Sequence, residues 1–131
     1  MPAYGIDTSI LVRLLTGQPA ADYRTTVERL MALRTSQPEH LIAANIVIAE
    51  AYAVLQHHYG LAKPDVRAAL VSVLTSGLVE PAGGDAVLDA LKTAKEPGLT
   101  DRLIALDYAG RGATTLTVDR KMASLPDCQR L

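Results

Sequence analysis

The sequence predicts an α/β fold, a three-layer α/β/α sandwich in which helices cover a short-stranded, mainly parallel central sheet. Short apolar runs, "AYGI", "LIAA" and "ATTLTV", alternate with longer segments of helical period. Segments of that length between strands act as crossovers, which pair strands in parallel and with a right hand. No linker, repeat or low-complexity stretch interrupts the 131 residues, so a single domain spans residues 1–131.

Each element has a local reason. "PAYGID" reads as a short buried strand, and "TSILVRLLTG" follows as a helix capped by Thr8 or Ser9 and ended by Gly17. A second helix covers Ala20 to Arg34 with Tyr23, Val27, Leu30 and Leu33 along one face, until "TSQPEH" breaks it. The strand "LIAA" leads into a helix from about Asn45 to His58. Pro64 suits the first turn of the next helix, which runs to about Thr75 and turns Val66, Leu70, Val73 and Leu74 inward. "GLVEPAGG" gives a strand ending at Pro81, Asp85 caps "AVLDALKTA", and "KEPG" stops it. "LTDRLIALDYAGRG" is a helix whose glycines suit a left-handed cap, and "ATTLTV" is the clearest strand in the chain.

Composition narrows the function classes. Hydrophobic residues make up 49% and charged ones 21%, the balance of a soluble globular protein, and no apolar run approaches the roughly 20 residues of a membrane span. The opening "MPAYGIDTS" lacks the basic region and long apolar stretch of a signal peptide, which predicts a cytoplasmic protein. Cys128 is the only cysteine, so the chain holds no internal disulfide and no thiolate cluster. A net charge of −1 gives no broadly basic face for nucleic acid, although metal ions in an acidic site would supply positive charge of their own.

Four carboxylates, Asp7, Glu50, Asp101 and Asp119, stand at the edges of apolar segments, where an ionised group is expensive to bury. In an open parallel sheet ligands bind outside the carboxyl ends of the strands. Asp7 and Asp119 both follow strands, and they converge if those strands are central neighbours. Each also suits a plain helix cap. Asp101 lies at a helix start, where the dipole favours a carboxylate, and shares a side with Ile104 and Ala105. Glu50 lies in mid-helix, where no capping role exists, and is expected on or beside the inward stripe with Ile46, Val47, Ala53 and Val54.

Other polar residues fall near these four. Ser9 and Thr117 stand two positions from Asp7 and Asp119 and could orient a carboxylate, or simply serve as a cap and a strand residue. Arg13, Arg102, Arg120 and Lys121 are candidates for phosphate contact, with surface solvation as the alternative. His57 and His58 point about 100° apart on a helix and share a metal poorly. His40 has no visible partner. No serine-type triad, phosphate loop or paired Cys-His spacing is present.

"YGIDTSILVRLL", the glutamate in "IVIAEAYAVLQHHYG", "LTDRLIALDYA" and "GATTLTVDRKM" resemble, in order and spacing, the acidic motifs of PIN-domain ribonucleases. The closest likeness is to VapC-type toxins of bacterial toxin–antitoxin pairs, and it runs from Tyr4 to about Leu131. The family often has Asn where this chain has Ser9 and an aromatic residue where it has Val118, differences that bear on substrate preference rather than on the acidic set. The resemblance implies a PIN-like fold and a metal-dependent endoribonuclease with Asp7, Glu50, Asp101 and Asp119 as catalytic residues and metal ligands. It also implies Mg²⁺ or Mn²⁺ as cofactor, RNA as substrate, a cognate antitoxin and a homodimer. Oxygen-only ligands suit those two ions. Two rivals stand beside it: a non-catalytic module of the same fold used for binding or assembly, and a receiver-like phosphotransfer domain, whose acidic pair near the first strand is not visible here.

Overall fold

A computed structural model describes residues 3–36 and 40–131. Among them the chain forms five short strands and seven helices in the order β1 (Tyr4–Ile6), α1 (Thr8–Thr16), α2 (Ala20–Ser36), β2 (Leu41–Ala43), α3 (Asn45–His57), α4 (Lys63–Leu74), β3 (Glu80–Pro81), α5 (Asp85–Lys92), α6 (Leu99–Ala109), β4 (Thr115–Thr117), α7 (Arg120–Ala123) and β5 (Cys128–Arg130). The α/β class and the parallel pairing stand as the sequence predicts. The breaker "TSQPEH" and the Pro2 end of the first strand lie partly outside the described residues.

The expected short parallel strands are present, and among the described residues they group in two parts. The strands form two sheets, one of order β1-β2-β3 and one of β4-β5, and every pairing is parallel. Strands of two or three residues present too few ladder groups to hold a broad sheet by themselves, so helix packing carries the architecture. β1 and β4 are therefore not hydrogen-bonded neighbours, and the convergence of Asp7 and Asp119 does not rest on a shared ladder.

The core explains the element order. Leu11 of α1, Ile48, Ala51 and Leu55 of α3, Val66 and Leu70 of α4, Val79 before β3 and Val87 and Leu91 of α5 are all essentially inaccessible. Burying each such Val, Leu or Ile side chain contributes about 1.5–3 kcal/mol relative to exposing it. α3 is the central helix, packing against α1, α4 and α6, while α6 also touches α5 and β4.

Several expected ends shift by a residue or by the identity of the cap. Asp7, not Thr8 or Ser9, caps α1, and Gly17 closes it in the left-handed region at φ 66°. Gly84 precedes α5, leaving Asp85 as its first helical residue. Gly110 ends α6 in a right-handed conformation, and the left-handed glycine comes two residues later at Gly112. α7 and β5 are additional elements, made from a segment whose short polar runs carry little periodicity. No helix among the described residues is long and apolar enough to cross a membrane.

Candidate metal centre

β1 delivers Asp7 to the start of α1 in an extended backbone conformation, so its side chain folds back over the first turn. Oδ1 accepts the Ser9 hydroxyl at 2.6 Å and the Ile10 amide at 3.2 Å. The Ser9 hydroxyl first, and the Ile10 amide second, hold the Asp7 carboxyl below the ordinary carboxylate range. Oδ2 has no donor among the described residues, so an ionised oxygen faces outward.

Glu50 reaches the same place from α3. Its Oε1 accepts the hydroxyl of Thr8, the residue after Asp7, and so ties mid-α3 to the first turn of α1. The inward placement expected for Glu50 is corrected. Ile46 is 73% exposed and Glu50 and Ala53 are exposed with it, because α3 buries the arc of Asn45, Ile48, Ala51, Tyr52 and Leu55 instead. Glu50 therefore carries no burial penalty. Its position is set by the Thr8 bond.

Asp119 leaves β4 and caps α7, where Oδ1 accepts the amides of Lys121 at 2.7 Å and Met122 at 3.3 Å. Asp101 lies in the first turn of α6, where the helix dipole favours its charge. It is half-buried and has neither hydrogen bond nor ion pair among the described residues. Of its expected companions, Ala105 is buried and Ile104 is exposed. The premise that all four carboxylates are costly buried groups is thus corrected: Asp7, Glu50 and Asp119 are exposed, and only Asp101 is partly covered.

The four do not close into a cage. Among the described residues no three His, Cys, Asp or Glu side chains stand together so as to hold one ion. The donor chemistry nonetheless fits a hard cation, because Mg²⁺ keeps several waters and needs only one or two carboxylates plus substrate phosphate. Asp7 and Glu50 are joined through Thr8, and each of the four keeps at least one oxygen that accepts from no protein donor among the described residues.

The supporting residues divide. Thr117 accepts the Asp119 amide at 3.0 Å, which orients the backbone at the cap rather than the carboxylate. Arg13 is turned toward α2, donating to Thr26 at 3.3 Å and standing 4.0 Å from Asp22. Arg102 is occupied by the loop before α6, donating to the carbonyls of Pro97 at 2.8 Å and Lys95 at 3.2 Å. Arg120 and Lys121 are exposed, and their side chains are unpaired among the described residues. His40 does have a partner, Glu80 on β3, at 3.3 Å.

Two residues near the site carry roles that periodicity does not suggest. Thr8 reads in sequence as a cap, whereas its hydroxyl is the link to Glu50. Asn45 reads only as a helix start, whereas its buried amide donates to the Leu103 carbonyl of α6 at 3.2 Å. A polar residue between "LIAA" and "IVIA" is the one signal the sequence offers for it.

Comparison with known families gives one match: the PIN domain, over residues 4–127. No curated protein matches the sequence.

Proposed function

The chain belongs to the PIN domain family, a nuclease-type fold that is often metal-dependent, and on that premise we propose that it is a Mg²⁺- or Mn²⁺-dependent endoribonuclease acting as the toxin of a toxin–antitoxin pair. The observation that supports the reading is the Thr8–Glu50 hydrogen bond, which ties the middle of α3 to the residue beside Asp7, while both carboxylates keep an oxygen open. Exposed carboxylates with a hydroxyl holding each in place are poised to share a cation with a phosphate.

When bound, the ion polarises the scissile phosphate and lowers the pKa of the attacking water. The chain's own residues have simpler tasks. Ser9 favours the ionised Asp7 carboxylate and fixes it, and the Thr8 hydroxyl fixes the direction of Glu50. Asp101 and Asp119 supply further oxygens from α6 and the start of α7. Arg120 and Lys121, beside Asp119, attract the RNA backbone.

Other surfaces support the partners in this reading. A groove of about 690 Å³ between α1, α2 and α4, lined by Leu14, Tyr23, Val27, Met31, Val73 and Leu78, offers an apolar seat for an antitoxin segment. Ile46, Ile104 and Tyr108, all exposed on the adjoining helices α3 and α6, support a second copy of the chain. A cytoplasmic location belongs to the same proposal.

One observation favours a second reading. Asp7 and Asp119 both satisfy helix amides, which alone accounts for them in a non-catalytic PIN-fold module used for binding or assembly. Incubating the chain with a mixed RNA pool, with and without Mn²⁺ and beside Asp7→Asn, separates the two. Metal-dependent cleavage lost in Asp7→Asn is the expected result; RNA left intact under every condition refutes the nuclease.

A further inference from the structure

Asn45 is a polar side chain inside an apolar core. It is 6% exposed at the first position of α3, surrounded by the cluster that includes Ile48, Val87 and Leu103. Its Nδ2 donates to the Leu103 carbonyl, and among the described residues this is the only side-chain hydrogen bond between α3 and α6. Its Oδ1 is buried and has no donor.

The energetics of this arrangement point away from stability. The Leu103 carbonyl lies inside α6, where helix geometry already supplies it with the amide four residues on. The Asn45 bond therefore satisfies no orphan on α6, while the side chain strands an acceptor of its own. One bond gained against one acceptor left buried gives little net stability, and an apolar residue of the same shape does as well.

What the amide does supply is direction. A methylene stack slides at small cost, whereas a hydrogen bond fixes one atom of α3 against one atom of α6. A third element lies beside the amide. A Cβ added at Gly83 would stand 2.7 Å from Val87 Cγ2 and 3.3 Å from Asn45 Oδ1, so only a glycine lets the loop before α5 come this close to the Asn45 side chain.

We propose that Asn45 is a positioning residue, whose amide sets α3 against α6 and thereby sets Glu50 against Asp101. Glu50 lies five residues along α3 from Asn45, and Asp101 lies two residues before Leu103 on α6. The inference rests on the reading of these carboxylates as metal ligands, and it concerns their spacing rather than their chemistry.

The test compares Mn²⁺ affinity by calorimetry with the melting temperature in chelator, for the wild type, Asn45→Leu and Leu70→Ala. Asn45→Leu is expected to melt within a few degrees of the wild type and to raise the Mn²⁺ Kd about tenfold, at the low end of what loss of a supporting residue costs a metal site. Leu70→Ala, a core truncation in α4 that leaves the Asn45–Leu103 bond in place, is expected to lower the melting temperature and keep the wild-type Kd. A Kd for Asn45→Leu equal to that of the wild type overturns the inference. Should the leucine variant not fold, Asn45→Ser, too short to reach Leu103, carries the same two outcomes. A wild-type chain that binds no Mn²⁺ overturns the metal-site reading itself, a result distinct from a wild type and variant that bind alike.

Discussion

Asp7→Asn separates a helix cap from a metal ligand on a single side chain. Asn caps helices about as well as Asp. Its oxygen can keep the bonds to Ser9 and Ile10, which both fall on Oδ1, while the amide nitrogen replaces the oxygen that has no protein donor. Without metal the variant loses only the charge at the first turn of α1, worth about 0.3–1 kcal/mol. At roughly 3–5 °C per kcal/mol for a domain of this size, that is a drop of about 1–5 °C. With metal the difference is larger. At a free Mn²⁺ concentration of about 100 Kd the wild type gains about 2.7 kcal/mol by mass action, a rise of roughly 8–13 °C. Thermal melts in chelator and in millimolar Mn²⁺ read both terms. The expected pattern is a nearly normal melt in chelator and the loss of most of the metal-induced rise. A variant that keeps the full rise refutes the assignment of Asp7 as a ligand, and a wild type that shows none refutes the site.

Three further outcomes follow from contacts already described. Asp119→Ala strips the acceptor from two amides of α7 and is expected to cost about 1 kcal/mol in urea melts, while Asp119→Asn stays near the wild type; equal losses in both would show that charge, not capping, matters at this position. Leu70→Ala empties a fully buried position between helices and is expected to cost about 2–5 kcal/mol by the same assay, a smaller loss meaning that α4 collapses onto the gap. Ser9→Ala removes the largest of the hydrogen bonds that depress the Asp7 carboxyl, so its titration, followed by NMR of the carboxyl carbon, is expected to move up toward the ordinary range. Because the folded value lies below the unfolded one, the stability these bonds contribute is present above the unfolded pKa and fades as pH falls through the folded value. Ser9→Ala narrows that acidic window, and an unmoved titration contradicts the cause given.

Much of this was legible in the sequence because it rests on local signals. Gly17 past α1, Pro64 in the first turn of α4 and the alternation of short apolar runs with longer helices all place elements within a residue or two. The order of the four acidic positions pointed to the family that matches over residues 4–127. Orientation was less accessible. A helix apolar on most sides, as "NIVIAEAYAVL" is, offers several arcs of similar hydrophobicity, and only the neighbours α1, α4 and α6 decide that Ile48 and Leu55 turn inward while Ile46 and Glu50 turn out. The joining of strands was equally hidden, since three-residue strands carry no sequence record of which edge they share. Side-chain bonds across long separations, Thr8 to Glu50 and Asn45 to Leu103, depend on that packing and have no local signature.

The division into two sheets has a consequence for how the molecule opens. β4 and β5 pair only with each other, with α7 between them in the chain, so this C-terminal segment carries its own complete ladder. Such a segment can unfold as a local unit at less than the global free energy, without unzipping β1 from β2. Asp119 travels with it, whereas Asp7 and Glu50 stay on the other body, so the amides of Thr115 and Leu131, bonded to Asp127 and Thr117 across the ladder, report by hydrogen exchange how often Asp119 moves away from the other two. An ion shared between the two bodies would then act as a clasp, slowing that exchange while leaving the rates in α3 and α4 almost unchanged.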